Sequence, residues 1–350
     1  MLKTRFLVYG GLLLCLILLG SCSGFLNQQP TLDFNPVTLT AEPLPLTPLP
    51  TYTPTTVPIG SEGNPLVMGI IIDEFVAGQN EAVQSVMMHM SEGLGLEVVA
   101  RPFGNYVDLE LALQRSEVQL AWLTAPEYLL ASQKNLASSL LVTNHLGVTA
   151  YGIQFLGHND GELESHFDAA TNTSPSTAGQ ALAQLAGLRP CLTEEDSLAG
   201  YWVPLGYLNQ NSISYLRPVL TFSFSASMRA LYIKGVCAYT STYAISADPR
   251  TSSEVIHDLP DVIETLPILW ISPAIIPNIN LSVSPQIDLT LQNQLSEYLR
   301  NFSREDIGKA LLSQMLDYEV AQLEPIHDTS YQVLRDLLST TDVRLVDLAR

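Results

Sequence analysis

Cys22 offers the most specific chemistry near the start of the chain, because a thiol is a nucleophile that can accept a diacylglyceryl group. Gly20 and Ser21 precede it, and small residues there give a signal peptidase access to the backbone. The apolar run over residues 6–20 follows two basic residues and is short for a membrane-spanning helix, which needs about 20 residues. This pattern predicts a bacterial lipobox, with residues 1–21 as signal peptide and Cys22 as the lipidated first residue of the mature protein. The alternative is an uncleaved anchor helix with an incidental cysteine.

The segment that follows is predicted to be a spacer. Residues 27–65 are rich in Pro and Thr, and proline removes backbone donors and fixes φ, so neither a helix nor a sheet is favoured. We assign residues 22–64 to the lipidated cysteine and a Pro/Thr-rich linker that extends by about 3 Å per residue. We expect an exported protein on the outer face of the cytoplasmic membrane, on its periplasmic or extracellular side. Its only attachment to the membrane would be the lipid anchor.

The charge of the chain excludes several classes of partner. Asp and Glu number 35 against 16 Lys and Arg, for a formal net charge of −19. Nucleic-acid binding depends on neutralising phosphates, and adhesion to anionic lipid depends on a basic patch, so we expect neither. A small anion remains possible, because backbone N–H groups at a helix start can bind it within an acidic protein.

The sequence contains no signature of an enzyme. There is no Gly-x-Ser-x-Gly elbow, no phosphate-binding loop and no Cys/His metal spacing, although a catalytic triad need not be local in sequence. Residues 158–168 form a His/acid cluster without EF-hand or zinc-protease spacing, which favours a solvated loop over weak metal binding. We therefore predict no catalytic residue, no metal and no cofactor. Cys191 and Cys237 could pair in an exported protein, and the sequence leaves this open.

Strands and helices alternate through the folded part, which predicts an α/β fold with right-handed βαβ units. The predicted strands span residues 66–72, 96–100, 118–123, 189–193, 216–222, 236–240 and 268–271. The predicted helices span residues 82–90, 106–116, 200–208, 226–234, 289–302, 307–317 and 331–338. Gly93 and Gly95 are expected to end the first helix.

Five stretches, in this order, resemble the substrate-binding components of phosphate, phosphite and phosphonate ABC transporters. The resemblance covers residues 66–338. The stretches are Asn105-Tyr106, residues 118–126 (VQLAWLTAP), Tyr151 at the start of a crossing strand, Ser197-Leu198-Ala199-Gly200 before a helix, and residues 270–277 (WISPAIIP). The order and spacing of these motifs together carry the resemblance.

The resemblance implies a two-lobed, type II periplasmic-binding-protein-like fold. Each lobe would be a mainly parallel sheet flanked by helices, with the ligand cleft between the lobes and closure by hinge motion. Residues 65–150 and 244–350 would form lobe I, and residues 151–243 would form lobe II. It also implies a solute-binding lipoprotein of an ABC-type importer, with a small-molecule solute and an ABC permease as partners.

The same resemblance supplies the candidate ligand contacts. They are Tyr106, Thr124, Ala125, Tyr151, Ser197, Leu198, Ala199, Gly200 and Ser225. Each has an ordinary structural alternative: a tyrosine closing a loop over the core, a turn residue before a proline, hinge packing, or a helix cap.

The sequence also departs from the family at its ligand loop. Leu198 and Ala199 stand where the family's Ser-Thr-Ser-Gly loop has hydroxyl residues, and Cys237 stands where it has an aspartate. Backbone donors would survive these substitutions, so an oxyanion held by backbone groups or a less polar ligand fits the altered site. A site that binds nothing is a further alternative. The competing functions are a ligand sensor or partner-docking lipoprotein of the same fold without transport and, less compatible with the motifs, an exported hydrolase.

Overall fold

The computed structural model of the protein describes residues 57–73, 75–160 and 162–349, and strands and helices alternate through this part. The strands are β1 (Leu66–Ile71), β2 (Val98–Phe103), β3 (Leu120–Leu123), β4 (Ser138–Asn144), β5 (Ala150–Leu156), β6 (Pro190–Leu192), β7 (Val219–Leu220), β8 (Tyr239–Ala244), β9 (Ile268–Ile271), β10 (Ile276–Pro277), β11 (Asn280–Val283) and β12 (Gln322–Pro325). The helices are α1 (Gln79–Leu94), α2 (Tyr106–Gln114), α3 (Ala125–Gln133), α4 (Ala178–Leu182), α5 (Val203–Gln210), α6 (Phe224–Ile233), α7 (Ser253–Asp258), α8 (Val262–Thr265), α9 (Leu289–Phe302), α10 (Asp306–Leu316) and α11 (Gln332–Leu338). The predicted signal peptide, Cys22 and most of the predicted linker lie outside the described residues.

Lobe I is built on a mixed sheet with the strand order β12-β4-β11-β3-β1-β2. Strand β1 runs parallel to β2 and β3, as βαβ connections require. Strand β11 is antiparallel to β3 and β4, and β12 is antiparallel to β4. The expectation of a mainly parallel sheet is therefore wrong, because β11 arrives from the other lobe rather than through a helical crossover.

Lobe II is also built on a mixed sheet, with the order β10-β5-β8-β6-β7 and with β9 paired to β5. Strand β6 runs parallel to β7 and β8, whereas β5 is antiparallel to β8, β9 and β10. The predicted return to lobe I at residue 244 comes too early. Val255, Val262 and Leu266 of the segment after β8 are buried in one core with Leu156 and Ile268 of this sheet. The chain rejoins the first sheet only at β11.

Helices cover both faces of the lobe I sheet, and β3 shows how the sequence achieves this. Leu120 and Trp122 belong to the core that packs against α1, α9 and α10, whereas Ala121 and Leu123 belong to the core that packs against α2 and α3. Successive strand residues point to opposite faces, so a strand covered on both sides is apolar throughout. As predicted, α1 ends at Gly95, which adopts the left-handed conformation with φ 65°.

The part of the chain from Asp328 to Ala349, which we call the C-terminal segment, touches both lobes. On the lobe I side, Tyr331 lies against Tyr128 of α3, with ring centroids 4.2 Å apart. On the lobe II side, the side chain of Asn209 in α5 donates to the Thr340 carbonyl oxygen at 2.9 Å. The segment therefore links the lobes in addition to the two crossings of the chain between the sheets. Among the residues that the structure describes, no helix is both long and apolar enough to cross a membrane.

Candidate functional site

A cavity of about 500 Å³, which we call the cleft cavity, opens where the two lobes meet. It is lined by Thr124, Ala125, Pro126, His145, Tyr151, Asp196, Ser197, Leu198, Ala199, Phe224, Tyr243, Ser246, Pro277, Asn278, Ile279, Leu316, Asp317, Tyr318 and Leu348. Six of the nine predicted contacts are among these residues: Thr124, Ala125, Tyr151, Ser197, Leu198 and Ala199. The volume suits a small solute.

The lobe II wall of the cleft cavity is the start of a helix. Residues Leu198–Trp202 form one π-helical turn that runs directly into α5. Ser197 caps it, and the Ser197 hydroxyl oxygen accepts a hydrogen bond from the Gly200 N–H at 3.0 Å. The N–H groups of Leu198 and Ala199 form no hydrogen bond with any described residue. Two free donors therefore remain at the positive end of a helix.

The lobe I wall is a second helix start with a different polarity. Thr124 precedes α3, and its backbone N–H donates to the Glu127 carboxylate at 2.7 Å. The Ala125 N–H forms no hydrogen bond with a described residue, and Pro126 has no N–H to offer. Glu127 is 1% exposed, so this helix start carries a buried carboxylate close to its one free donor. Its positive potential is weaker than that of the lobe II wall.

Aromatic side chains form much of the remaining surface of the cleft cavity. Phe224, the first residue of α6, packs edge-on against Tyr243 with ring centroids 5.1 Å apart. Tyr318 lies against His145 at 4.9 Å. The cavity therefore offers flat apolar faces beside its backbone donors, an arrangement that suits a ligand with an apolar or unsaturated body.

The charged groups of the cleft cavity are acidic. Asp196 and Asp317 line it, and no Lys or Arg is found among the described residues that do so. A neighbouring cavity of about 560 Å³, which shares Thr124 and Asp317 with it, adds Asp73 and Glu127. Any anion in the cleft would depend on N–H donors rather than on cationic side chains.

Hydrogen bonds join the two crossings of the chain between the lobes. The Asn278 backbone N–H donates to the Thr149 carbonyl oxygen at 3.0 Å, and its side-chain amide donates to the Val148 carbonyl oxygen at 2.8 Å. Residues 145–149 and 278–279 thus lie side by side, next to the cleft cavity. Short element-terminal segments of this kind are where hinge motion is absorbed.

Three predicted contacts do not line the cleft cavity. Tyr106 is 1% exposed in the core, where burial, reinforced by the nearby Glu110 carboxylate, raises the pKa of its hydroxyl. It begins α2, and its spacing to Leu109 turns it inward. Gly200 lies behind the wall with its N–H already used by Ser197. The half-buried Ser225 directs its hydroxyl to the Glu254 carboxylate at 3.4 Å.

Sequence reasoning missed several lining residues, which come from segments far apart in the chain. They are His145, Phe224, Tyr243, Asn278, Asp317, Tyr318 and Leu348. Phe224 could have been found, because it directly follows the N-cap Ser223. Asp317 is the left-handed residue that ends α10, with φ 56°, and its position in the site depends on how the chain folds back.

Comparison with known proteins identifies the family of the chain. A family model described as "ABC transporter, phosphonate, periplasmic substrate-binding protein" matches residues 68–331. The chain belongs to this family. The family resemblance and the α/β fold read from the sequence are therefore confirmed. This phosphonate-type substrate-binding family consists of extracytoplasmic proteins that bind solutes for ABC transporters.

The fold of the chain matches that of a solved structure at low sequence identity. One similar structure is XAC2383 from Xanthomonas citri, solved bound to chloride ion and also to ATP. The alignment covers 79% of this chain and 96% of the XAC2383 chain. Its TM-score is 0.53 in both forms, with 17% and 16% identity. PhnD1 from Prochlorococcus marinus, in complex with methylphosphonate, has a TM-score of 0.47, 15% identity and coverages of 78% and 96%. No curated protein matches the chain.

Proposed function

We propose that this chain is an extracytoplasmic lipoprotein that binds a small solute in the cleft cavity and delivers it to an ABC permease. The observation that carries the proposal is the meeting of free helix-start donors, Ala125 N–H on lobe I and Leu198 and Ala199 N–H on lobe II, in a cavity beside the crossings. Closure of the lobes would bring both walls onto one ligand. The family membership of the chain supports this role.

The proposed ligand is not a dianion of the phosphate type. The described lining offers no cationic side chain, and Asp196 and Asp317 would repel a second negative charge. We infer a ligand with one acceptor group for the helix starts and a less polar body for the aromatic faces of Tyr151, Phe224 and Tyr243. The ligand-binding residues would be Thr124, Ala125, Tyr151, Ser197, Leu198 and Ala199.

A thermal-shift panel on the chain from Ser23 onward tests the solute-binding role. Phosphate, phosphite, alkyl- and aminoalkylphosphonates, thiamine-like cations and uncharged metabolites would be compared. A ligand at 100 times its dissociation constant stabilises the native state by about 2.7 kcal/mol, which raises Tm by several degrees. We expect the largest shift from a mono-anionic or zwitterionic compound with an apolar body. A shift with inorganic phosphate alone that is lost in Leu198→Pro would contradict the proposed ligand class, and no shift at all would favour the docking function.

The lipid anchor is a separate part of the proposal. A wild-type chain produced in a bacterial host should take up radiolabelled palmitate and sediment with membranes, because two or more acyl chains hold a protein firmly at a bilayer. Cys22→Ala should lose the label and leave the membrane fraction. If the label persists in this variant, Cys22 is not the lipidated residue.

A further inference from the structure

A second cavity in lobe II, which we call the arginine pocket, lies apart from the cleft cavity and shares no lining residue with it. Its volume is about 350 Å³. It is lined by Arg189, Glu195, Tyr201, Arg217, Pro218 and Leu220. Its two cationic groups and single carboxylate give it the opposite electrostatic character to the cleft cavity.

Backbone geometry places the two arginines next to each other. Each precedes a proline, in Arg189-Pro190 and Arg217-Pro218, and the residue before a proline is held in the extended region. Strands β6 and β7 are parallel with Cys191 opposite Val219, so the same register carried two residues back brings Arg189 opposite Arg217. Neighbouring strands are about 4.8 Å apart.

Without a bound anion, the proximity of these two positively charged arginines is electrostatically unfavourable. Most Lys and Arg side chains of the described residues pair with a carboxylate, as Arg101 does with Glu117 at 2.5 Å. Arg189 and Arg217 are exposed and form no ion pair or side-chain hydrogen bond with any described residue. Like charges opposite each other on adjacent strands destabilise a sheet. In a chain with 35 acidic residues, two unpaired guanidinium groups side by side are a feature that a bound anion would stabilise.

The other polar groups of the pocket leave this positive charge available. The Tyr201 hydroxyl donates to the Glu195 carboxylate at 3.4 Å, which occupies the one acid in the lining. Burial and the Glu195 carboxylate raise the pKa of Tyr201, and the positive charge of Arg217, which lines the same pocket, opposes this shift. The guanidinium forks of Arg189 and Arg217 match the planar or tetrahedral oxygens of an oxyanion.

We propose that the arginine pocket is an oxyanion-binding site of lobe II, formed by Arg189 and Arg217, that takes a phosphate-type group. The group would belong either to a free solute or to an anionic lipid headgroup. The inference goes beyond the proposed solute-binding function, since it uses a different cavity and different donors.

Titration calorimetry of the full chain with inorganic phosphate at low ionic strength is the first test. The variant R189Q/R217Q should bind phosphate at least tenfold more weakly than wild type, while R115Q, which changes another exposed and unpaired arginine in lobe I, should bind as wild type does. The melting temperature of R189Q/R217Q should be unchanged or higher, because a repulsive pair is removed. A lower melting temperature with unchanged phosphate affinity would show that the arginines are structural, and would overturn the proposal.

A second variant distinguishes the two cavities. Leu198→Pro removes a backbone donor from the cleft cavity only, so phosphate binding at the arginine pocket should persist in it. Phosphate binding that is lost in Leu198→Pro and retained in R189Q/R217Q would assign the anion to the cleft cavity, and would overturn this inference without affecting the proposed function.

Vesicles distinguish the source of the group. The full chain carrying Cys22→Ser, which removes the predicted lipid attachment, would be sedimented with phosphatidylglycerol vesicles and with phosphatidylcholine vesicles. Binding to the former only, abolished by R189Q/R217Q, supports the site with a lipid headgroup as its source. Binding of free phosphate alone supports it with a solute as its source. If neither probe binds, or if R189Q/R217Q binds both as strongly as wild type, the arginine pocket is not an oxyanion site.

Discussion

Each wall of the cleft cavity is a helix start that follows a strand, but the two strands differ in how much of the sheet surrounds them. In lobe I, the helix start at Thr124 follows β3, a strand buried on both faces inside a sheet that carries helices on each side. In lobe II, the helix start at Ser197 follows β6, which is three residues long and next to the two-residue edge strand β7. The lobe II wall has more free donors and less sheet beneath it. Its position therefore depends on a small number of specific contacts.

The disulfide between Cys191 and Cys237 is the strongest of these contacts. It joins β6 to the residues just before β8 and closes a loop with a sequence separation of 46. Loop closure of this length corresponds to about 4 kcal/mol of stability in the chain-entropy account. The double variant Cys191→Ala/Cys237→Ala should lower Tm by roughly 10 °C, measured by calorimetry.

Hydrogen exchange then locates the effect of the missing disulfide. We expect faster exchange in β6, β7 and β8 and little change in β1 to β3. A reductant should lower the Tm of wild type and leave that of the double variant unchanged. Equal Tm values for the oxidised wild type and the double variant would show that the lobe II wall does not depend on this bond.

Close packing of Gly200 is the second contact that supports the lobe II wall. A Cβ atom at this position would clash with the Thr193 hydroxyl and lie 2.8 Å from the Ser197 hydroxyl, which caps the turn. Gly200→Ala should therefore destabilise the protein by about 1–3 kcal/mol and weaken solute binding, because the cap must move. Tm and the affinity for the best compound of the panel measure both effects.

Gly104 provides the matched control on the lobe I side. It lines the cavity next to the cleft cavity, and a Cβ there meets nothing within 4 Å. Gly104→Ala should leave Tm and affinity close to wild type. If Gly200→Ala behaves in the same way as Gly104→Ala, the turn in lobe II is more adaptable than its packing indicates.

The sequence predicted the elements of this fold that have a local signal and missed those that depend on long-range contacts. Periodicity located α9 and α10 closely, because long amphipathic helices repeat their apolar residues over several turns. It missed α3 and β4, which carry mostly buried residues and lack a clear alternation. The sequence also predicted the end of lobe II too early, at residue 243. The pairing of β5 with β9, which keeps the later segment in lobe II, is a long-range contact that leaves no local signal.

The candidate site residues also divide into those with a local sequence signal and those that only the folded chain brings together. Ser197, Leu198 and Ala199 could be predicted because a polar cap followed by a helix is a local pattern. Tyr106 was predicted from the family resemblance, whereas its helical spacing to Leu109 already indicated the core. The acidic character of the cavity comes from Asp196 in lobe II and from Asp317 at the end of α10, which are far apart in the sequence. Only the folded chain brings them together.

Proline substitutions compare the donors of the two walls directly. Leu198 and Ala125 are each the first residue of a helical segment, where proline fits, and the preceding residues Ser197 and Thr124 are already extended, as a residue before proline must be. Leu198→Pro and Ala125→Pro each remove one free N–H with little strain. We expect Tm changes of only a few degrees for either variant.

Leu198→Pro should weaken solute binding more than Ala125→Pro does, because Glu127 reduces the positive potential of the lobe I helix start. Leu198→Ala is the control, since it shortens the side chain and keeps the donor. A loss of tenfold or more relative to Leu198→Ala, which is about 1.4 kcal/mol, would indicate a charged acceptor on the ligand. A two- to threefold loss would indicate a neutral acceptor. Equal affinities for Leu198→Pro and Leu198→Ala would mean that the ligand is held by the aromatic faces rather than by the helix start, and the greater donor capacity of lobe II would then have no role in recognition.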